Sequence, residues 1–115
     1  MDGQRRVAAF LGDNDLHAPP ANRVLDLTSE VGELAKEVNA STGYGASPAD
    51  VTVAEDELGD ALFCLLALCV ETDTDAGDAL ETALSKYERR LTETGDAGSG
   101  ESNGRAGRRR ATTAS

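Results

Sequence analysis

The sequence predicts an all-α protein, built as a bundle of about four helices. Aromatic residues make up only 3% of the 115 residues and Trp is absent, so the core has to be built from Leu, Val and Ala. Such a core is more typical of packed helices than of a sheet sandwich. Apolar residues also recur at spacings of three and four along several segments, as one face of a helix requires. The length supports one modest core, and we expect one domain over residues 1–94.

Two helices are predicted in the first part of the chain. Residues 4–12 form a short helix that covers one end of the core, and it ends in a stretch rich in helix breakers. A longer helix is predicted from Asn22, a good N-cap residue, to about Asn39. Its apolar stripe consists of Val24, Leu27, Val31, Leu34 and Val38.

A second long helix is predicted over residues 47–71. Residues 40–50 are rich in Ser, Gly, Ala and Pro and form a loop, and Pro48 is placed in the first helical turn, where proline is tolerated. From Ala61 onward the helix is apolar on every side, with the sequence ALFCLLALCV. Such a helix is either central in the fold or contacts a second subunit.

The last helix is predicted over residues 75–92 and is capped by Asp73 to Asp75. Its apolar stripe consists of Ala76, Ala79, Leu80, Ala83, Leu84, Tyr87 and Leu91. Residues 95–115 contain no apolar side chain larger than Ala and therefore cannot offset the entropy of ordering. We predict that they form a disordered tail rich in Gly, Ser and Arg.

The charge of the chain is unevenly distributed. Residues 1–95 carry 19 Asp and Glu against 7 Lys and Arg, which gives −12, whereas residues 96–115 carry a net charge of +2. An acidic surface repels nucleic acid, so no nucleic-acid partner is expected. It suits a protein that works with cations, and equally a protein from a high-salt cytoplasm.

The cysteines and the apolar runs indicate the cellular compartment in which the protein works. Cys64 and Cys69 are five residues apart in an apolar helix, point in different directions and are predicted to be reduced core residues. The longest apolar run, Ala61 to Val70, has ten residues and is too short to span a bilayer. No signal-peptide pattern precedes the first helix. We expect a cytoplasmic protein without membrane contact.

Two pairs of carboxylates have the spacing of a metal site. Glu30 and Glu33 share one face of the first long helix, and Glu57 and Asp60 repeat this arrangement on the second. If the two helices pack with these turns level, four carboxylates converge, and their repulsion is relieved only by a cation. Hard oxygen ligands suit Mg²⁺ or Mn²⁺.

A glycine lies inside each carboxylate pair, Gly32 in the first and Gly59 in the second. Glycine inside a helix costs roughly 1 kcal/mol relative to Ala, so its recurrence at the same place indicates a need for space. Close approach of a backbone or of a ligand explains it.

The segments SEVGELAKEV and EDELGDALFCLLALCV resemble the ExxE and ExxD motifs of MazG-like nucleotide pyrophosphohydrolases, an all-α group of nucleoside triphosphate pyrophosphatases. The resemblance covers residues 4 to 91. It implies that Glu30, Glu33, Glu57 and Asp60 bind Mg²⁺. The segment KYERR is similar to the basic part of the family's last helix, which implies that Lys86 and Arg90 contact the substrate phosphates.

The resemblance implies a reaction as well as a fold. A nucleoside triphosphate is hydrolysed at the α-phosphorus to a nucleoside monophosphate and pyrophosphate, in a house-cleaning role for the nucleotide pool. Glu33, slightly preferred over Glu30, accepts the proton of the attacking water. The resemblance also implies a homodimer or homotetramer, which agrees with the apolar second long helix.

Two other functions fit the same sequence. A MazG-like helical module could keep its metal site and act as a non-catalytic metal-binding, nucleotide-binding or regulatory subunit. Alternatively, the chain is an acidic helical adaptor whose RAGRRR tail binds an acidic partner.

Overall fold

A computed structural model describes residues 1–95, which form four α-helices and contain no β-strand. The helices are α1 (Asp2–Asp13), α2 (Pro20–Ser41), α3 (Glu55–Glu71) and α4 (Ala76–Thr94). The predicted all-α class is therefore confirmed. The predicted tail lies outside the described residues, apart from Gly95.

The helices α1 to α3 belong to one compact unit, Met1–Ala76. In this unit α3 packs against both α1 and α2, as the apolar sequence of its second half requires. The unit has few buried apolar residues, of which two are leucines and two are smaller: Leu11, Leu66, Cys64 and Ala67. Next to them, the rings of Phe10 and Phe63 meet edge to face with centroids 6.0 Å apart.

The second compact unit begins at Gly77 and contains the remainder of α4. No described residue of α4 is buried, and Leu80, Leu84 and Leu91 are each about half exposed, at 45–53%. The predicted amphipathic helix is present, with its apolar stripe open over the described residues. A single domain over residues 1–94 stays a prediction.

The start of α2 differs from the prediction. The helix begins at Pro20 with Pro19 as N-cap and no side-chain cap, and Asn22 lies inside the first turn. The backbone N–H of Asn22 donates to the carbonyl of Pro19 at 3.0 Å. Proline at the first helical position has the right φ and lacks an N–H that would be unpaired there, so it replaces the predicted Asn22 cap.

The start of α3 at residue 47 was wrong, because α3 begins at Glu55. The intervening loop turns through positive φ at Gly43, Tyr44 and Gly45. The N–H of Thr52 then donates to Ser41 Oγ at 3.0 Å, which ties the loop back to the end of α2. Pro48 therefore lies in a turn and not in a helix.

The start of α4 is bonded to α1. Gln4 accepts a hydrogen bond from the N–H of Ala76 at 2.7 Å and donates to the carbonyl of Thr74 at 2.6 Å. A side chain distant in the sequence thus binds an orphan N–H of the first helical turn, a contact that was not predicted from the sequence.

Both cysteines are free thiols, as predicted, with Cys64 buried and Cys69 partly exposed. No helix among residues 1–95 combines the length and the apolar character needed to cross a membrane.

Candidate metal centre

The candidate site lies where α2 packs against α3. The start of α2 meets the end of α3, since Arg23 contacts Glu71, and Glu30 in the middle of α2 meets residues near the start of α3. The two helices are therefore antiparallel. We call the charged residues and the cysteine along this contact the α2–α3 seam; they are Arg23, Asp26, Glu30, Glu57, Asp60, Cys64 and Glu71.

Three of the four predicted carboxylates converge. One carboxylate oxygen from each of Glu30, Glu57 and Asp60 lies within 4.8 Å of the other two. Glu30 and Glu57 are half-buried and Asp60 is exposed. Three negative groups at this spacing repel one another unless a proton or a cation is shared between them. All the donors are carboxylate oxygens, which fits Mg²⁺ or Mn²⁺ and does not favour a soft metal.

The surroundings of Glu57 raise the pKa of its carboxyl. Burial is the main cause that raises the pKa of this carboxyl, and the neighbouring charges of Asp56, Glu37, Glu33 and Asp60 raise it further, in that order. Both causes disfavour the ionised form. A cation next to Glu57 would reverse this balance, because an opposite charge stabilises the carboxylate.

Glu33 lies outside the group of three but within electrostatic reach of Glu57. Its side chain is exposed, whereas Glu30 on the same face is half-buried. Glu37, one turn further along α2, also acts on the pKa of Glu57. The structure thus brings three of the four predicted acids together and leaves Glu33 and Glu37 as a looser pair further along α2.

The glycines inside the carboxylate pairs do not serve helix packing within the described chain. A Cβ added at Gly32 or at Gly59 would meet no atom within 4 Å. The prediction of a close backbone approach is therefore wrong for residues 1–95, because these faces of α2 and α3 are open. A ligand near the glycines remains the other explanation.

Lys86 and Arg90 lie on one face of α4, one turn apart, with Tyr87 between them in the sequence. Lys86 Nζ is 5.0 Å from the centre of the Tyr87 ring and Arg90 Cζ is 6.0 Å from it. Both cations thus share one aromatic ring, an attractive contact for each of them.

A polar network around the buried Arg23 lies at the other end of the seam and was not predicted from the sequence. Glu71 contacts Arg23, His17 and the N–H of Ala18, and Arg23 is the only charged residue that is buried among those described. The hydrogen bond from Ala18 is the first cause that lowers the pKa of Glu71, and His17 and Arg23 lower it further against the opposing effect of burial. One sequence signal existed: Arg23 is seven residues before Glu30, hence on the same helical face.

The thiol of Cys64 lies on the seam between these two groups. Burial raises its pKa most, and the negative charges of Asp26, Glu30 and Asp60 add to this effect while Arg23 opposes it. A buried thiol with a raised pKa stays protonated and is unsuited to bind metal or act as a nucleophile. Cys64 therefore belongs to the packing of the seam.

These features define the class of the protein as an all-α chain with a cluster of carboxylates, a candidate cation site, between two antiparallel helices. Residues 20–94 match the family model of the MazG nucleotide pyrophosphohydrolase domain. The match covers more than half of the chain and includes every predicted site residue. The chain therefore belongs to the MazG nucleotide pyrophosphohydrolase family.

A relative supports this assignment. The chain is 33% identical over 94 residues to the uncharacterized protein YpjD of Bacillus subtilis (strain 168), and the match covers 77% of this chain and 83% of YpjD. No solved structure matches the chain. Members of the family generally depend on a divalent metal and act on nucleoside triphosphates.

Proposed function

We propose that the protein is a Mg²⁺-dependent nucleoside triphosphate pyrophosphohydrolase that releases pyrophosphate and a nucleoside monophosphate, with a house-cleaning role in the cytoplasm. The observation that carries the proposal is the convergence of Glu30, Glu57 and Asp60 across two helices in a chain of this family. Glu30, Glu57 and Asp60 would hold the cation, and Glu33 would complete the set. Mn²⁺ would be accepted too, because it prefers the same oxygen ligands.

The residues have separate tasks in the proposed reaction. When bound, Mg²⁺ supplies positive charge that offsets the charge of the triphosphate, and it lowers the pKa of a water molecule bound to it. Glu33 accepts the proton of the attacking water as the new bond to the α-phosphorus forms, and the bond from this phosphorus to the leaving pyrophosphate breaks. Glu33 suits this task because it is exposed and lies beside the tight group. Glu30 is the second candidate for the base.

Lys86 and Arg90 are proposed to bind the phosphates of the substrate. Both positive groups lie near the Tyr87 ring. This contact already limits the motion of the two side chains, so binding of the phosphates costs less conformational entropy. Such contacts orient the triphosphate and stabilise charge on the leaving pyrophosphate.

A homodimer or homotetramer is part of the proposal. Leu58, Leu62 and Leu65 lie on one face of α3 and are each about half exposed, at 45–54%. Val24 and Val31, two turns apart on α2, are similarly exposed. Apolar faces on the helices that also carry the acids are suited to contact a second copy of the chain.

The activity assay uses the common ribonucleoside and deoxyribonucleoside triphosphates, together with oxidised ones, each with Mg²⁺. Released pyrophosphate and the monophosphate are quantified. We expect turnover of at least one substrate that stops when the metal is chelated. Glu33→Gln should lower kcat by about 10²- to 10⁴-fold, the usual contribution of a general base.

The control is Glu55→Gln, which makes the same chemical change on an exposed residue of the first turn of α3. It should keep the wild-type rate. No turnover of any nucleotide together with intact metal binding would favour a non-catalytic metal-binding or regulatory module instead. A full rate in Glu33→Gln would exclude Glu33 as the base.

A further inference from the structure

Glu71, at the end of α3, contacts three residues in two parts of the first 23 residues. Its Oε2 accepts a hydrogen bond from the N–H of Ala18 at 2.8 Å and lies 3.5 Å from Arg23 Nη2. Its Oε1 is 3.1 Å from His17 Nδ1. Only about a tenth of the Glu71 side chain is exposed. The carboxylate thus joins the α1–α2 connection and the start of α2 to the end of α3.

Arg23 makes the matching contacts from α2. Its Nη2 donates to the carbonyl of Leu16 as well as facing Glu71, and its Nη1 is 4.0 Å from Asp26. Its Nε is buried and has no hydrogen-bond partner. A buried charge with an unpaired N–H costs folding free energy, so a contribution to stability does not by itself explain this ion pair.

Arg23 and Glu71 share their helical faces with the metal carboxylates. Arg23 and Glu30 are seven residues apart on α2, which is about two turns. Glu71 and Asp60 are eleven residues apart on α3, which is about three turns. The ion pair and the carboxylate group are therefore two ends of one seam, and a shift of either helix along the seam changes both.

We propose that Arg23 and Glu71 are positioning residues that hold α2 and α3 in the one register in which Glu30 meets Glu57 and Asp60. The inference rests on the proposed metal site and is independent of the reaction. A slip by one helical turn moves a residue by about 5.4 Å. This is more than the 4.8 Å within which the three carboxylate oxygens lie.

The buried apolar residues of α3 contribute little to its register against α2. Cys64 and Ala67 are small, and Leu66 lies against α1, where its Cδ1 is 3.5 Å from the position that a Cβ on Gly3 would take. A charge pair with defined partners favours one arrangement, because a slip of either helix separates Arg23 from Glu71. The repulsion among the carboxylates favours a slip, and the Arg23–Glu71 pair opposes it.

The decisive variant is the double substitution Arg23→Met with Glu71→Met. Replacing a buried ion pair by apolar side chains of similar size is often neutral or stabilising for the fold. We expect an unfolding midpoint at or above that of the wild type, followed by circular dichroism without metal. The dissociation constant for Mn²⁺, measured from the electron paramagnetic resonance of the free ion, should rise about tenfold or more.

A second comparison covers the case in which the double variant does not fold. Glu71→Gln keeps an acceptor for Ala18 and removes only the charge. Leu11→Ala destabilises the same unit from α1, because Leu11 is fully buried and lies off the seam. At a temperature where both variants are fully helical, Glu71→Gln should bind Mn²⁺ several-fold more weakly, and Leu11→Ala should bind it as the wild type does.

The outcomes separate this inference from the proposed function. A folded double variant with the Mn²⁺ affinity of the wild type, or equal affinities in Glu71→Gln and Leu11→Ala, overturns the positioning role. Failure of the wild type to bind Mn²⁺ overturns the metal site and the positioning role together. Mn²⁺ binding without turnover of any nucleotide overturns only the proposed reaction and leaves the positioning role supported.

Discussion

Glu57 is a residue of the candidate site whose carboxyl pKa is raised, first by burial and then by the charges around it. It is half-buried, it shares a group of carboxylate oxygens with Glu30 and Asp60, and Glu33 and Glu37 also raise its pKa. A carboxyl with a raised pKa in the folded state stabilises the fold at low pH. This contribution is lost as the pH rises through the folded pKa. Without a cation, the ionised site therefore works against the fold at neutral pH.

Glu57→Gln tests this account of the charge. In the absence of metal, the variant should gain stability relative to the wild type as the pH is raised from about 4 to 7, because only the wild type has this carboxyl to ionise. At pH 7, Mg²⁺ should raise the unfolding midpoint of the wild type and leave that of the variant almost unchanged. Thermal unfolding by circular dichroism measures both effects.

Glu55→Gln is the matched control for Glu57→Gln, because it removes a carboxylate from the same helical turn outside the group of three. It should keep the Mg²⁺ response of the wild type. An equal Mg²⁺ response in Glu57→Gln and the wild type would show that Glu57 does not hold the cation.

At the scale of the element, α2 and α3 each bear a glycine between two acids, and both glycines are open to the surroundings. Gly32 and Gly59 have ordinary helical backbones with negative φ and no neighbour where a Cβ would lie. Glycine at such a position only adds entropy to the unfolded chain and weakens the helix. Within a single copy of the chain, the glycine therefore stabilises neither helix.

Gly32→Ala and Gly59→Ala should each stabilise the protein by roughly 0.5–1 kcal/mol, the usual gain in a helix interior. Urea unfolding followed by circular dichroism measures the gain. If a ligand occupies the open space, the same variants should lose pyrophosphohydrolase activity while they gain stability. A loss of stability in either variant would mean that a second copy of the chain fills the space, contrary to the expected gain.

At the scale of the whole molecule, the described chain leaves many large apolar side chains half exposed. Its fully or nearly buried apolar residues are only Leu11, Cys64, Leu66 and Ala67. A chain of this size buries a smaller share of its surface than a larger domain does, and association is one way to compensate. The face of α3 that carries Leu58, Leu62 and Leu65 is the surface we expect at the subunit interface.

Leu62→Glu should convert the proposed dimer or tetramer to a smaller species, because the interface would have to bury an unpaired charge. Size-exclusion chromatography with light scattering at micromolar concentration gives the mass of each species. Leu16→Glu is the control, since Leu16 is similarly exposed and lies in the connection between α1 and α2, not on α3. A wild-type protein that is already a monomer would contradict the prediction.

Much of the fold was predictable because it depends on local spacing. The presence of four helices follows from apolar periodicity, which neighbouring residues alone generate. The start of α3 was less predictable, because it depends on a distant partner: Ser41 holds the loop, and the helix begins at Glu55 instead of residue 47. Contacts of this kind have no signature in the residues that precede the helix.

The sequence by itself determined the all-α class and the two helical faces that carry Glu30 and Glu33 on one side and Glu57 and Asp60 on the other, because a period of 3.6 residues fixes which side chains share a face. Only the tertiary structure decided that Glu30, Glu57 and Asp60 form the tight group and that Arg23 pairs with Glu71. The physical reason is that these contacts depend on the register of two packed helices. Contacts between residues distant in the sequence, such as the hydrogen bond between Ala18 and Glu71, 53 positions apart, depend on that register, and local spacing does not contain them.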